Sequence, residues 1–183
     1  ALTRVLKIKQ TDKVIIIGET TYEWYVAYMA LLLGAGIAVP VDKELPENEL
    51  ENLIKRSGAV AIVHTPKKKD FVKKAASHCG NVNYTIEMYS REAPTKEKEG
   101  KEKQAHFTTV GFDFLTEEGK VFTDLGDNSL MEKQIDPDAF ALLIFTSGTT
   151  SAAKGVMICN RNLAANINGI TPYVYLTPED RLF

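Results

Sequence analysis

This chain of 183 residues has little of what usually betrays a function at a glance. It has two cysteines, Cys79 and Cys159, which form no spacing motif. Two thiols do not make a disulfide framework, and a cytoplasmic location fits them best. Its three histidines, His64, His78 and His106, are scattered, and none has the spacing of a metal ligand. No charge sign dominates: 22 basic against 24 acidic residues give a net charge of −2. That balance disfavours nucleic acid as a partner. The longest apolar run, Ala27 to Val39, is interrupted by Gly34 and Gly36. It falls well short of the ~20 residues of a membrane span. No basic segment leads into an apolar one with a cleavage site, as a secretory leader would require. The chain opens on ALTRVLKIKQ and stops at DRLF, so it is expected to be a piece of a longer protein.

What is present is an ordinary globular composition, 44% apolar, with a clear alternation of patterns. Val14–Gly18 (VIIIG) is a short apolar run of the kind buried on both faces of a parallel sheet. Thr20 and Glu23 form a capping box for a helix that runs to Gly34-Ala35-Gly36. Ile37–Val41 is the next strand, with Pro40 marking an edge or a strand end. Pro46 opens a second helix, with Leu50, Leu53 and Ile54 on one face and Gly58 as its stop. Ala59–His64 is a third strand. Residues 1–90 thus read as a βαβαβ unit, its crossovers expected to be right-handed, and the cluster Lys67–Lys74 reads as a solvated helix face.

Beyond it, Arg91–Gln104 carries nine charges in fourteen positions and no large apolar residue, which predicts a mobile surface loop. Residues 105–135 read as irregular, with a small β element near Phe107–Phe122 marked by Gly119. Residues 136–183 hold an apolar strand, Ala139–Phe145, then the stretch FTSGTTSAAKG, then an extended GVMIC and a helix capped by Asn160.

FTSGTTSAAKG, Phe145–Gly155, carries the chemistry. Hydroxyls on Thr146, Ser147, Thr149, Thr150 and Ser151 can donate, Gly148 lets backbone amides approach an anion, and Lys154 brings a cation on a long stem. The P-loop pattern G-x-x-x-x-G-K-[ST] does not fit. Ala153 replaces its second glycine, Gly155 its hydroxyl, and a strand-like segment follows where a helix should. The dinucleotide pattern G-x-G-x-x-G fails at Gly34–Val39, where the third glycine is missing and the glycines precede a strand. A ligand-free polar hairpin remains compatible with this composition, as does a non-catalytic α/β binding module.

FTSGTTSAAKGV resembles the phosphate-binding signature of the adenylate-forming superfamily. LLLGAGIAVPVD, GETTYEW and DKELPENELENLIKRS are similar to further segments of that family, most like bacterial long-chain fatty acyl-CoA synthetases. The resemblance covers nearly the whole chain and is weak across 91–104. It implies a mostly parallel α/β sheet flanked by helices, part of the large amino-terminal domain. It implies ATP, Mg²⁺ and coenzyme A as reactants and cofactor, a small-molecule acid as partner, and membrane contact only through a lipid substrate. By resemblance, Thr146, Ser147, Gly148, Thr149, Thr150 and Ser151 cradle the phosphates, Lys154 neutralises them as the catalytic cation, and Thr149 reaches the metal. Transfer of another acid to a carrier-protein thiol is the alternative chemistry. Ser151 stands where the family has glycine and Ala153 where it has proline. Segments for adenine and ribose, the metal-binding glutamate and the small carboxy-terminal domain have no counterpart before Phe183, so the chain alone is expected to be inactive.

Overall fold

A computed structural model describes residues 1–99, 103–146, 153–174, 177 and 179–180, and for residues 97–99 and 103–105 it describes the backbone alone. The first strand, β1 (Lys13–Ile17), sets the plan. Val14, Ile15, Ile16 and Ile17 expose no surface, so neither face of the strand reaches water and both must be covered. A strand with polar alternation would need one cover only. Helix α1 (Tyr22–Ala30), extended by a π-helical turn over Leu31–Ala35, follows β1 and leads to β2 (Ile37–Val41). Helix α2 (Glu47–Ser57) leads to β3 (Ala61–His64), and α3 (Lys69–Ser77) to β4 (Tyr84–Glu87). Strands β5 (Thr95–Glu99) and β6 (Lys103–Gly111) precede α4 (Phe112–Asp124). After it come β7 (Phe140–Thr146), β8 (Lys154–Cys159) and α5 (Asn160–Ile170).

All eight strands form one sheet in the order β5-β6-β4-β3-β1-β2-β7-β8. The six inner strands are parallel, and β5 and β8 close the two edges antiparallel. Two cores result. Ile15 and Ile17 pack with Leu50 and Ile54 of α2 and Val72, Ala75 and Ala76 of α3. Val14 and Ile16 pack on the other face with Ala27 and Leu31, with Leu115 of α4, and with Leu6 and Ile8 of the amino-terminal segment. From β1 the chain steps to β2 over one face, then returns past β1 to β3 and on to β4 over the other. The step from β6 to β7 runs back over the first face. Direction and face reverse together, so the four crossovers share one hand, as right-twisted parallel strands require.

Strands β1, β2, β3 and β7 match the sequence reading to within two residues, whereas β4 has no counterpart in it. Pro40 lies near the end of β2, which meets β7 only at Ala38↔Leu142, so its missing amide costs that ladder nothing. The cap of α1 is Thr21 rather than Thr20, its hydroxyl accepting from the Trp24 amide at 3.4 Å. Two expectations fail. Within the charged segment 91–104, Thr95–Glu99 is an edge strand paired with β6, because ladder bonds come from the backbone and a charged edge is well solvated. The expected small β element near Phe107–Phe122 is a strand only to Gly111, and a 13-residue helix follows. Gly119 marks no turn. It lies inside α4, where a side chain would stand 3.4 Å from the Ala1 nitrogen.

Gly111, at the turn from β6 into α4, has the tightest surroundings of the described glycines. A Cβ there would lie 2.1 Å from the Ser90 carbonyl oxygen and 2.6 Å from the Glu92 amide. Because the obstacles are backbone, Gly111→Ala should destabilise the fold by about 2 kcal/mol or more. Urea unfolding measures this directly; an unchanged midpoint would show that the β6–α4 junction is not packed as described.

Candidate functional site

The parallel strands all end at one edge of the sheet. Pairing aligns Val41, Ile17, His64, Glu87 and Gly111 in one row across β2, β1, β3, β4 and β6. Strand β7 is parallel to them, so Thr146 also points its chain out of that edge. Ligands of open parallel sheets gather there, outside the carboxyl ends of the strands.

The phosphate-type stretch is the connection between β7 and β8. Thr146 and Lys154 are paired partners in the antiparallel ladder, and the Thr146 hydroxyl donates to the Lys154 carbonyl oxygen at 3.4 Å. Both are exposed, and the Lys154 ammonium has no ion-pair partner among the described residues. Ser147, Gly148, Thr149, Thr150 and Ser151 lie outside the described residues. The structure therefore brings Thr146 and Lys154 together at the mouth of the hairpin. Among the described residues no cluster of three or more His, Cys, Asp or Glu offers a metal cage, and Thr149, expected to reach the metal, lies outside them.

The neighbouring residues explain why a strand, and not a helix, follows Lys154. A Cβ on Gly155 would stand 3.1 Å from Leu143 Cδ1 and 3.4 Å from the Phe145 ring. The chain thus returns tightly against β7, over a Phe145 ring that also carries the Arg56 guanidinium at 5.5 Å. Helix α5 begins only after β8. Its cap is Cys159, whose amide donates to the Asn162 side-chain oxygen at 3.0 Å, and not the expected Asn160. Asn160 instead donates to the Leu32 carbonyl at 3.3 Å. Arg161 grips Asp138 with a two-pronged ion pair, 2.5 and 2.8 Å. The guanidinium holds the Asp138 carboxyl below the ordinary carboxylate range. Together these bonds fix both strands of the hairpin at the end away from the loop.

Several polar groups at the same edge escaped the sequence reading. His64 is wholly buried. Its Nδ1–H donates to the Thr65 carbonyl at 3.0 Å, while Nε2 has no partner among the described residues. Burial lowers its pKa, against smaller opposing effects of the Thr65 carbonyl and the Glu87 carboxylate. Glu87, its neighbour on β4, is paired with Lys69 at 2.6 Å. Glu19, just past β1, is paired with Lys67 at 3.6 Å. Its own backbone amide holds its carboxyl below the usual range, and the Thr65 hydroxyl beside it helps without reaching hydrogen-bond geometry. Position alone, the first polar residues after an apolar strand, was the available signal.

The mostly parallel α/β sheet thus ends one strand, second from its edge, at a connection whose sequence is rich in hydroxyls and carries Lys154. The chain belongs to the family of AMP-binding enzymes, whose model matches residues 1–183. It is 31% identical over 156 residues to a chalcone synthase, cfoA, of Aspergillus candidus, a match that covers 85% of this chain and 5% of that protein. It is 22% identical over 179 residues to a chloroplastic long-chain-fatty-acid–[acyl-carrier-protein] ligase, AEE15, of Arabidopsis thaliana, covering 97% of this chain and 25% of that one. The anthranilate CoA ligase AuaEII, solved with anthranoyl-AMP, shares the fold with a TM-score of 0.66 at 16% identity, over 93% of this chain and 29% of that one. The chain thus spans a quarter or less of the length of these curated relatives.

His64 gives this edge a pH dependence with a definite sign. Its folded pKa lies below the unfolded value, so the unfolded state binds the extra proton first. The stability it confers is complete above the unfolded value near 6.5 and is lost as pH falls toward the folded one. Chemical denaturation between about pH 7.5 and 5 should show wild type losing stability faster than His64→Gln. Parallel curves would mean that His64 titrates in the fold as it does in the open chain.

Proposed function

We propose that this chain is part of the large domain of a long-chain fatty acid–CoA ligase of the AMP-forming type, and that the β7–β8 hairpin grips the polyphosphate of ATP. The observation that carries the reading is the pairing of Thr146 with Lys154 at the carboxyl edge of a parallel sheet, in a chain of the AMP-binding family. The fatty-acid assignment draws support from the acyl-carrier-protein ligase relative, whose name states a long-chain fatty acid as substrate.

In the reaction a carboxylate oxygen attacks the α-phosphorus of ATP, pyrophosphate departs, and the acyl-adenylate forms. The coenzyme A thiolate then attacks the acyl carbon and AMP leaves. Charge accumulates on the departing pyrophosphate in the first step. Hydroxyl and amide donors held at that position would stabilise it without reorganising, and Lys154 adds a full positive charge. Lys154 is suited to this because no described carboxylate neutralises it. Mg²⁺ would supply further neutralisation of the polyphosphate, with Thr149 as the contact from this chain. Ser147, Gly148, Thr150 and Ser151 complete the cradle. A cytoplasmic setting, with membrane contact only through the lipid substrate, belongs to the same proposal. Among the described residues no helix is long and apolar enough to cross a membrane.

A second reading, transfer of the acyl group to a carrier-protein thiol, is favoured by the name of that same relative. Exchange of labelled pyrophosphate into ATP by the whole enzyme, across a panel of fatty, aromatic and amino acids, tests the acid. Supplying coenzyme A or a carrier protein then tests the acceptor. Lys154→Ala should slow the exchange on the order of 10²-fold, the worth of one electrostatic donor, and Lys154→Arg should restore part of it. An unchanged rate removes Lys154 from the mechanism, and a preference for amino acids overturns the fatty-acid assignment.

A further inference from the structure

A second polar cleft opens on the same edge, at the point where the chain reverses direction across the sheet. Strand β1 lies between β2 and β3, reached over opposite faces, and such a switch point leaves a crevice between the two diverging connections. Here the crevice has a volume of about 310 Å³ and is lined by Glu19, Thr21, Thr65, Pro66, Lys67 and Tyr89. It lies two strands from β7, on the order of 10 Å along the sheet.

The cleft is built around a buried hydroxyl. Thr65 is 97% buried, being 3% exposed, yet among the described residues its Oγ1 completes no hydrogen bond, although the Glu19 carboxylate stands beside it. A buried hydroxyl left unpaired is costly, and a ligand oxygen entering the cleft would supply the missing bond. Gly18 makes room for it. At φ +138° a side chain would be strained there, and its Cβ would lie 2.5 Å from Thr65 Cγ2 and 2.7 Å from Oγ1. On the opposite wall Tyr89 holds a left-handed conformation, φ 59°, that a bulky residue seldom adopts, and half of its surface is exposed. The Thr21 hydroxyl is already engaged with the Trp24 amide and the Met88 sulfur.

The charges in the lining cancel: Glu19 and Lys67 stand 3.6 Å apart, and the Lys67 side chain is 80% exposed and easily displaced. An ionic ligand would break that balance, whereas a neutral one would not. An ionised carboxylate offers two acceptor oxygens and no donor, which matches two adjacent hydroxyl groups. The Lys67 ammonium and the Thr65 hydroxyl can donate to further oxygens, and the Tyr89 and Pro66 rings offer apolar faces. We infer that this cleft binds the vicinal diol of a neutral sugar, with Glu19 accepting both hydroxyls, Thr65 bonding a third oxygen and Tyr89 lying along the ring. A ribofuranose and a hexopyranose present the same chemistry, and the experiment separates them.

The test is a titration of the ¹⁵N-labelled chain, followed by amide shifts. The probes are methyl β-D-ribofuranoside, methyl β-D-glucopyranoside, methyl 2-deoxy-β-D-ribofuranoside, sodium acetate, inorganic phosphate and ethylamine. Saturable shifts at Gly18, Thr65 and Tyr89 are expected with at least one of the two diol sugars, with a dissociation constant in the millimolar range for so small a ligand. The deoxy sugar should bind more weakly. Glu19→Gln should weaken binding about tenfold, the loss of one charge-assisted bond. Thr65→Val should weaken it as well, while Thr65→Ser should retain it; spectra elsewhere report on the fold of each variant. The inference is overturned if neither sugar gives a saturable shift at these amides. It is also overturned if the deoxy sugar binds equally well, if acetate, phosphate or ethylamine binds better, or if Glu19→Gln leaves the affinity unchanged. None of these outcomes bears on the hairpin between β7 and β8.

Discussion

Everything in this molecule depends on the burial of one strand from both sides. The run from Val14 to Ile17 has no solvent-exposed surface, and at about 25 cal/mol per Å² of apolar area its removal from water is among the larger favourable terms in the fold. One face is covered by α2 and α3, the other by α1, α4 and the amino-terminal segment. A chain that must cover both faces of β1 with helices of one crossover hand has to leave it once in each direction. The reversal at β1, and with it a crevice at the carboxyl edge, follows from that requirement and not from any residue in the crevice itself.

The same constraint places the hairpin. β7 joins the sheet beside β2 in parallel orientation, so the Thr/Ser/Gly stretch leaves the sheet at the edge where the other strand ends gather. The opposite end of the hairpin is held by polar bonds: the Arg161–Asp138 pair and the Asn160 bond to the π-helical turn. Exposed ion pairs of this sort contribute little to global stability. Their effect is geometric. They fix where β7 and β8 start and stop, and so where Thr146 and Lys154 face each other.

The central strands and α2 were legible in the sequence because each has one strong local signal: an apolar run, a helical stripe, or a glycine stop. Residues 91–104 were not, since an edge strand held by backbone bonds needs no apolar pattern and its charges read as loop. Helix α4 was misread through Gly119, which lies inside the helix and marks no turn. The residue types of the hairpin ruled out the P-loop pattern, and the strand that follows Lys154 agrees with that exclusion. The cleft of Gly18, Glu19, Thr65 and Tyr89 was invisible. Its members come from three separate segments and meet only through the pairing of β1 with β3 and β3 with β4, which no local pattern encodes.

The proposed ligase chemistry requires the polyphosphate to sit in the β7–β8 hairpin. A crystal structure of the whole enzyme with a non-hydrolysable ATP analogue settles it most directly. The β- and γ-phosphates should lie in the β7–β8 hairpin, within hydrogen-bond reach of its hydroxyls and amides and with the Lys154 ammonium against them. Phosphates held elsewhere on the sheet edge, with Lys154 still facing solvent, would contradict it.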